Sequence, residues 1–342
     1  MTPVEAARFV WPLAHRRPRQ HRTDAPSGTI RVMLVWLGLA LTAGAIGSLW
    51  RLTLSQPARR PYPLYGWVGV VALIGLEALL VLRVPFVTAF FTALVWTAYI
   101  LATDGAVYRL TGTSQLHHPG RFFALSLLSI PGWLVFEAYN FALKNWVYAG
   151  VPQNFWIFAV GGCWAFATIY PGVFETADLI YAARLHRARC RPLRFTRPVH
   201  LSLALLGAGL LAFPLLMDRH WAPYLFGPVW AGFIFLLDPI NRHFRLPSVL
   251  GDLARGRPGR FSALLLSGLC CGFFWEFWNY WASARWIYVF PILQRSKVFA
   301  MPLPGFLGFP PFVVECFTMA IFLAGILLPE ELRPALMHDR TE

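Results

Sequence analysis

Blocks of about twenty mostly apolar residues recur along the chain, at 32–50, 64–82, 84–103, 121–143, 161–182, 199–217, 222–237, 261–281 and 306–328. Runs of this length are what a helix needs to cross the hydrocarbon core of a bilayer, and in lipid only helices or closed barrels satisfy their own backbone. The pattern therefore predicts an all-α, polytopic transmembrane bundle of about nine spans. Composition agrees: 57% of the residues are hydrophobic and 13% charged, a balance foreign to soluble domains.

The formal net charge is +14. Nucleic acid is one partner that such charge suggests, but the arginines lie between the apolar blocks and in the N-terminal tail. Positive loops resist translocation and sit against anionic headgroups, so membrane lipid is the expected partner and nucleic acid is not. Segments on one side of the predicted bundle carry eighteen Lys/Arg, led by Arg184, Arg187, Arg189, Arg191, Arg194 and Arg197, against six on the other. That side is expected to be cytoplasmic, in the inner (plasma) membrane of a bacterium. The basic tail 1–29 conflicts with this if block 32–50 truly crosses, so that block is left open. Five cysteines without C-x-x-C spacing read as small core residues, not as a disulfide or zinc site.

Laying the chain on itself exposes a repeat. Gly120-Arg121-Phe122 returns as Gly259-Arg260-Phe261, and Glu137-Ala138-Tyr139-Asn140 as Glu276-Phe277-Trp278-Asn279, both 139 residues later. Trp146-Val147-Tyr148 returns as Trp286-Ile287-Tyr288 and Glu175 as Glu315 at an offset of 140, and Trp96 and Asp104 match Trp230 and Asp238 at 134. The expected organisation is a basic tail (1–29), a first apolar helix (30–51), repeat one (64–182), an Arg-rich loop (183–198), repeat two (199–328) and a C-terminal tail (329–342). Four spans per unit make the repeats parallel, so that corresponding residues meet at one depth.

An ionisable side chain inside the bilayer is costly and must pair, face water or stay protonated. Glu137 and Asn140 share a helix face, as do Glu276 and Asn279. With Glu175 and Glu315 they are expected to ring one chamber, the glutamates as acid, base and partners, the asparagines as orienters of the carboxyls. Interhelical glue is the plain alternative. Four carboxylates suit Mg²⁺ or Ca²⁺ better than iron or zinc, since these spans hold no histidine, but no metal and no cofactor is expected. Trp146, Tyr148, Trp286 and Tyr288 read either as an interfacial belt or as chamber lining, where aromatic faces stabilise a carbocation, with Trp275 and Trp278 adding rings near Glu276. Asp104 and Asp238 read as caps or ion-pair partners, and the Pro-rich segment 285–305 as a lid or re-entrant piece.

An acid on a helix, then Trp146-x-Tyr148, then Pro171 and Glu175, repeated as Trp286-x-Tyr288, Pro311 and Glu315, resembles the membrane lycopene cyclase domain, a carotenoid-forming family of tandem helical units. That family places two adjacent acids shortly after proline, whereas here a single Glu follows four residues on. The resemblance implies cofactor-free protonation of an isoprenoid double bond and ring closure through a carbocation. Three functions stand open from the residues: an enzyme acting on a lipid-soluble small molecule by carboxylic-acid proton transfer, a secondary transporter or proton-coupled carrier, and a non-catalytic scaffold.

Overall fold

The computed structural model describes residues 53–185 and 189–334, with positions 40, 43, 44, 47, 48, 50 and 51 of the first apolar block. The tail 1–29, most of block 32–50 and residues 335–342 lie outside the described residues.

From Leu64 on, ten α-helices and four short strands follow in order among the described residues: α1 (Leu64–Val81), α2 (Pro85–Thr111), α3 (Pro119–Leu143), β1 (Trp146–Ala149), α4 (Phe155–Ala167), α5 (Ile169–Ala182), α6 (Arg197–Leu216), α7 (Phe226–His243), α8 (Val249–Ala254), α9 (Gly259–Trp281), β2 (Arg285–Tyr288), β3 (Lys297–Val298), β4 (Met301–Pro302) and α10 (Phe309–Leu327). Seven stretches among the described residues are long and apolar enough to cross a membrane, α4 and α5 forming one of them, and they mark the chain as an integral membrane protein. Seven of the nine expected spans are thus found among the described residues, and block 32–50 lies largely outside them. Block 222–237 becomes α7, preceded by a 3₁₀ turn at Ala222–Tyr224, and α7 carries Asp238, Asn241 and Arg242 in its last turns. It is not one of the seven.

Local chemistry sets the ends. Proline occupies the first turn of α2, α3 and α10, where its missing N–H costs nothing. Gly112 closes α2 at φ 86°, a left-handed cap. Asn154 caps α4 by accepting from the Trp156 and Ile157 amides.

Contacts between connections divide them into two faces, as alternation requires when α7 runs between the faces together with the seven stretches. On one face the Arg59 amide donates to Arg109 O, Cys190 N to Gly256 O, and Arg121 Nε to Glu331 O. On the other, Ser283 N donates to Thr88 O, Val289 N to Asn145 O, and Asn145 Nδ2 to Pro223 O. The first face holds the Arg-rich loops.

The spanning windows of α9 and of the α10 stretch bury 61% of their residues, those of α1 and α6 only 17%. The core therefore runs through α9, α10, α5 and α2, with Ser267 Oγ of α9 donating to Val173 O of α5 at 2.6 Å. The outer helices pack through glycine: a Cβ at Gly69 would strike the α2 backbone at Ala98 and Ala102, and one at Gly207 the α7 backbone at Gly232 and Leu236. Small residues allow this approach between helices that lipid does not drive together.

Of the two aspartates, Asp238 caps a helix, whereas Asp104 ties down the loop before α3 and makes no ion pair among the described residues. Asp104 accepts from Tyr65 Oη (2.6 Å), Ser114 Oγ (2.6 Å) and Leu116 N (2.9 Å), and Asp238 from the Val249 and Leu250 amides at 2.8 Å, the first amides of α8.

Candidate functional site

The segments after α3 and α9 depart from the all-α expectation. Each forms a four-residue strand, and the two pair antiparallel with Trp146 opposite Tyr288, Val147 opposite Ile287, Tyr148 opposite Trp286 and Ala149 opposite Arg285. Side chains two apart on a strand share a face, so Trp146, Tyr148, Trp286 and Tyr288 all point the same way. They close the bundle on the face away from the Arg-rich loops.

Asn140 and Asn279 hold the strands. Asn140 Oδ1 accepts from the Asn145 amide (2.8 Å) and the Trp146 amide (3.0 Å), and its Nδ2 donates to Trp146 O (2.9 Å). Asn279 does the same to Trp286, with its Oδ1 accepting from N and its Nδ2 donating to O, both at 2.9 Å. The expectation that these asparagines orient the carboxyls is corrected: their polar atoms are spent on otherwise unsatisfied strand backbone.

The glutamates one turn earlier take the side chains. Glu137 Oε1 accepts from Trp133 Nε1 (2.9 Å), Trp146 Nε1 (3.2 Å) and Tyr148 Oη (2.5 Å). Glu276 Oε1 accepts from Tyr288 Oη (2.7 Å), which itself accepts from Trp286 Nε1 (3.0 Å). In both residues Oε2 is buried without a hydrogen-bond partner. Burial, and then the adjacent carboxyl, hold the Tyr148 and Tyr288 hydroxyls well above the usual phenol range, so both stay O–H donors.

The rings enclose two adjoining spaces. An inner chamber of about 40 Å³ lies among Trp133 and Phe136 of α3, the four strand aromatics, Trp230, Trp275, and Met301, Phe309 and Phe312. By volume it holds roughly three waters or the tip of an apolar chain. Beside it runs a groove of about 470 Å³ between α2, α3 and α4. Trp133, Tyr148, Trp275 and Trp286 line both and form the partition. Trp133 and Trp275 stand 5.5 Å apart between ring centres, Trp275 and Trp286 5.3 Å. The strand aromatics therefore line the chamber.

Three further expectations change. The four glutamates do not ring the chamber: none lines it, because the indoles and phenols that bind Glu137 and Glu276 stand between carboxyl and lumen. Glu315, fully buried on α10, accepts from the Phe233 amide at 3.3 Å and lies a turn beyond Phe312. Glu175, fully buried on α5, lies in electrostatic range of Tyr65, whose hydroxyl serves Asp104 near the opposite face. Among the described residues no three His, Cys, Asp or Glu side chains gather as a metal site. Trp278 lines neither space. It packs edge-on against Trp96 and donates to Glu77 Oε1 at 2.9 Å. Segment 285–305 is a folded hairpin, β3 pairing with β4, and its Met301 is fully buried in the chamber wall.

Sequence reasoning missed Trp133, although it sits four residues before Glu137 on one helix face, where an indole and a carboxyl meet. Trp230, Met301, Phe309 and Phe312 carried no such signal, and Glu77 has no carboxylate counterpart in the repeat, where Ala212 stands. No protein-family model matches the chain, and no curated protein and no solved structure matches it significantly.

Proposed function

We propose that the chain is an integral membrane enzyme of cyclase or isomerase type, which protonates a double bond of a lipid-soluble, isoprenoid-like substrate without a cofactor. The observation that carries this reading is the Glu276–Tyr288 pair: a buried carboxyl with one unpartnered oxygen, joined through a phenol to an aromatic chamber. Glu276 differs from Glu137 in having one donor rather than three on Oε1, which leaves it freer to exchange a proton.

In the proposed step the bond that Tyr288 donates to Glu276 reverses, the Glu276 carboxylic acid donating to Tyr288 as Tyr288 gives its hydroxyl proton to one alkene carbon. The π electrons form the new C–H bond, and the cation left on the neighbouring carbon faces the rings of Trp275, Trp286 and Trp133, whose quadrupoles favour it. A second double bond in the same molecule supplies the electron pair that closes the ring. Loss of a proton to Tyr288, with its own proton returning to Glu276, restores both groups and leaves an isomer. A hydroxyl relay of this kind is general acid–base catalysis. Glu137 positions Trp133, Trp146 and Tyr148 in the opposite wall.

The reading includes two parallel four-helix units of common origin. Its support is the reciprocal strand register, the paired Asn and Glu contacts, and the equal reach of Asp104 and Asp238 to an amide twelve residues on. It also places the Arg-rich loops in the cytoplasm, against anionic lipid.

The test compares pigment and lipid extracts of an isoprenoid-producing host carrying the wild-type chain or Glu276→Gln. A product present with the former and absent with the latter is expected. Undiminished product in the variant overturns the mechanism, and uptake of an unchanged solute into vesicles places the chain among carriers instead.

A further inference from the structure

The groove beside the chamber has a chemistry of its own. Its lining is aliphatic and aromatic apart from Thr92, Thr168 and Cys163, and contains one charged residue, Arg285. It reaches from Pro152, Ala284 and Arg285, at the face closed by the strands, down α4 to Thr168 and Ile169, where the helix breaks between α4 and α5. The twelve helical steps from Ile157 to Ile169 rise by roughly 18 Å, more than half of a hydrocarbon core. No residue of α4 is buried, so the groove lies at the outer edge of the bundle, beside lipid.

Arg285 is placed where a headgroup would be. It is exposed, its Nη1 donates to Tyr280 O at 3.0 Å, and it makes no ion pair among the described residues. A guanidinium carries five N–H donors in a planar fork suited to carboxylate or phosphate oxygens, so most of its capacity remains. At the membrane boundary such a pair is stronger than in water.

We infer that the groove binds a single-chain amphiphile, with an anionic oxyacid head on Arg285 and its apolar chain along α4 against Trp133 and Trp275. This rests on the reading of the two spaces as one substrate site and narrows the substrate class from any lipid-soluble molecule to one with a charged end. The shared headgroup chemistry is a carboxylate or phosphate.

The experiment is quenching of tryptophan fluorescence of the full chain in detergent by 9,10-dibromostearate and by its methyl ester, since Trp96, Trp133, Trp275 and Trp286 line the groove. The acid is expected to bind about tenfold more tightly than the ester, the worth of one charge-assisted contact. Arg285→Gln should remove that preference and leave the ester unaffected, while Arg285→Lys should retain part of it. Gly162→Leu should weaken both probes, because Gly162 lines the groove and a Cβ there meets nothing within 4 Å, so that a bulky side chain can be added at the lining without a clash. Hexadecyl phosphate should displace dibromostearate where inorganic phosphate does not.

Equal binding of acid and ester, a preference that survives Arg285→Gln, indifference to Gly162→Leu, or displacement by inorganic phosphate alone would each overturn the inference. Binding is read without turnover, so its failure leaves the proton-transfer proposal standing. Loss of product in Glu276→Gln, with binding intact, separates the two in the other direction.

Discussion

Tyr148 on β1 stands directly opposite Trp286 on β2, and the reciprocal pair, Trp146 and Tyr288, stands two residues along the same ribbon. Each strand thus sends its phenol toward the glutamate of its own half, Tyr148 to Glu137 and Tyr288 to Glu276, while each phenol stands opposite an indole of the other half. The wall of the chamber is shared between residues that lie about 140 positions apart in sequence.

The two phenols should not be equivalent. Tyr288→Phe removes the one donor on Glu276 Oε1, whereas Tyr148→Phe leaves Glu137 with Trp133 and Trp146. Turnover is expected to fall by about a hundredfold or more in the first variant and by less than about tenfold in the second. A kcat comparison at saturating substrate checks this, and equal losses contradict the assignment of the relay to the second half.

The asparagine clamps should rank by the bonds they make. Asn140→Ala strands three backbone groups and Asn279→Ala two, so the first is expected to cost more, by about 1 kcal/mol. Unfolding midpoints of the two variants in one detergent measure the order, and a costlier Asn279→Ala goes against it.

Gly308 lies against the six-membered ring of the Trp230 indole, and any Cβ there would overlap it. Because Trp230 is part of the chamber wall, Gly308→Ala should lower stability by about 1–3 kcal/mol and shift the tryptophan emission. Gly162→Ala, added into open space, is the matched control and should change neither.

Asp252 touches two arginines of very different exposure. Arg255 lies 2.6 Å away with its side chain 60% exposed, and Arg260 3.3 Å away with its side chain 3% exposed, stacked over Phe317. Breaking the buried contact is expected to cost about 3 kcal/mol or more, and the exposed one at most about 1. Thermal unfolding of Arg260→Gln and Arg255→Gln at low and high salt decides it: only the Arg255 contribution should fade with salt.

The spans were legible because lipid demands long apolar runs, and their alternation because the loops must collect on two faces. What escaped was set by contacts distant in sequence. Strands of four residues are too short to show a period, although Trp-x-Tyr in both halves already held the alternation that places both rings on one face. Trp275 and Trp278 look alike from sequence, being three apart on α9, yet one lines the chamber and the other packs against α2 and reaches Glu77. Matching residues also diverge: Arg121 and Arg260 occupy the same place in the repeat, but one is bound to the C-terminal segment at the surface and the other is buried against Asp252. Glu137 and Glu276 were found by the cost of a carboxyl in lipid, which flags the residue but not its partners.

A ribbon woven from one strand of each half also decides what a fragment can do. Severed between α5 and α6, the chain would yield two pieces, each with a lone strand edge and half a wall. Neither piece would be competent, and mixing them would restore the protein only as far as that edge finds its mate.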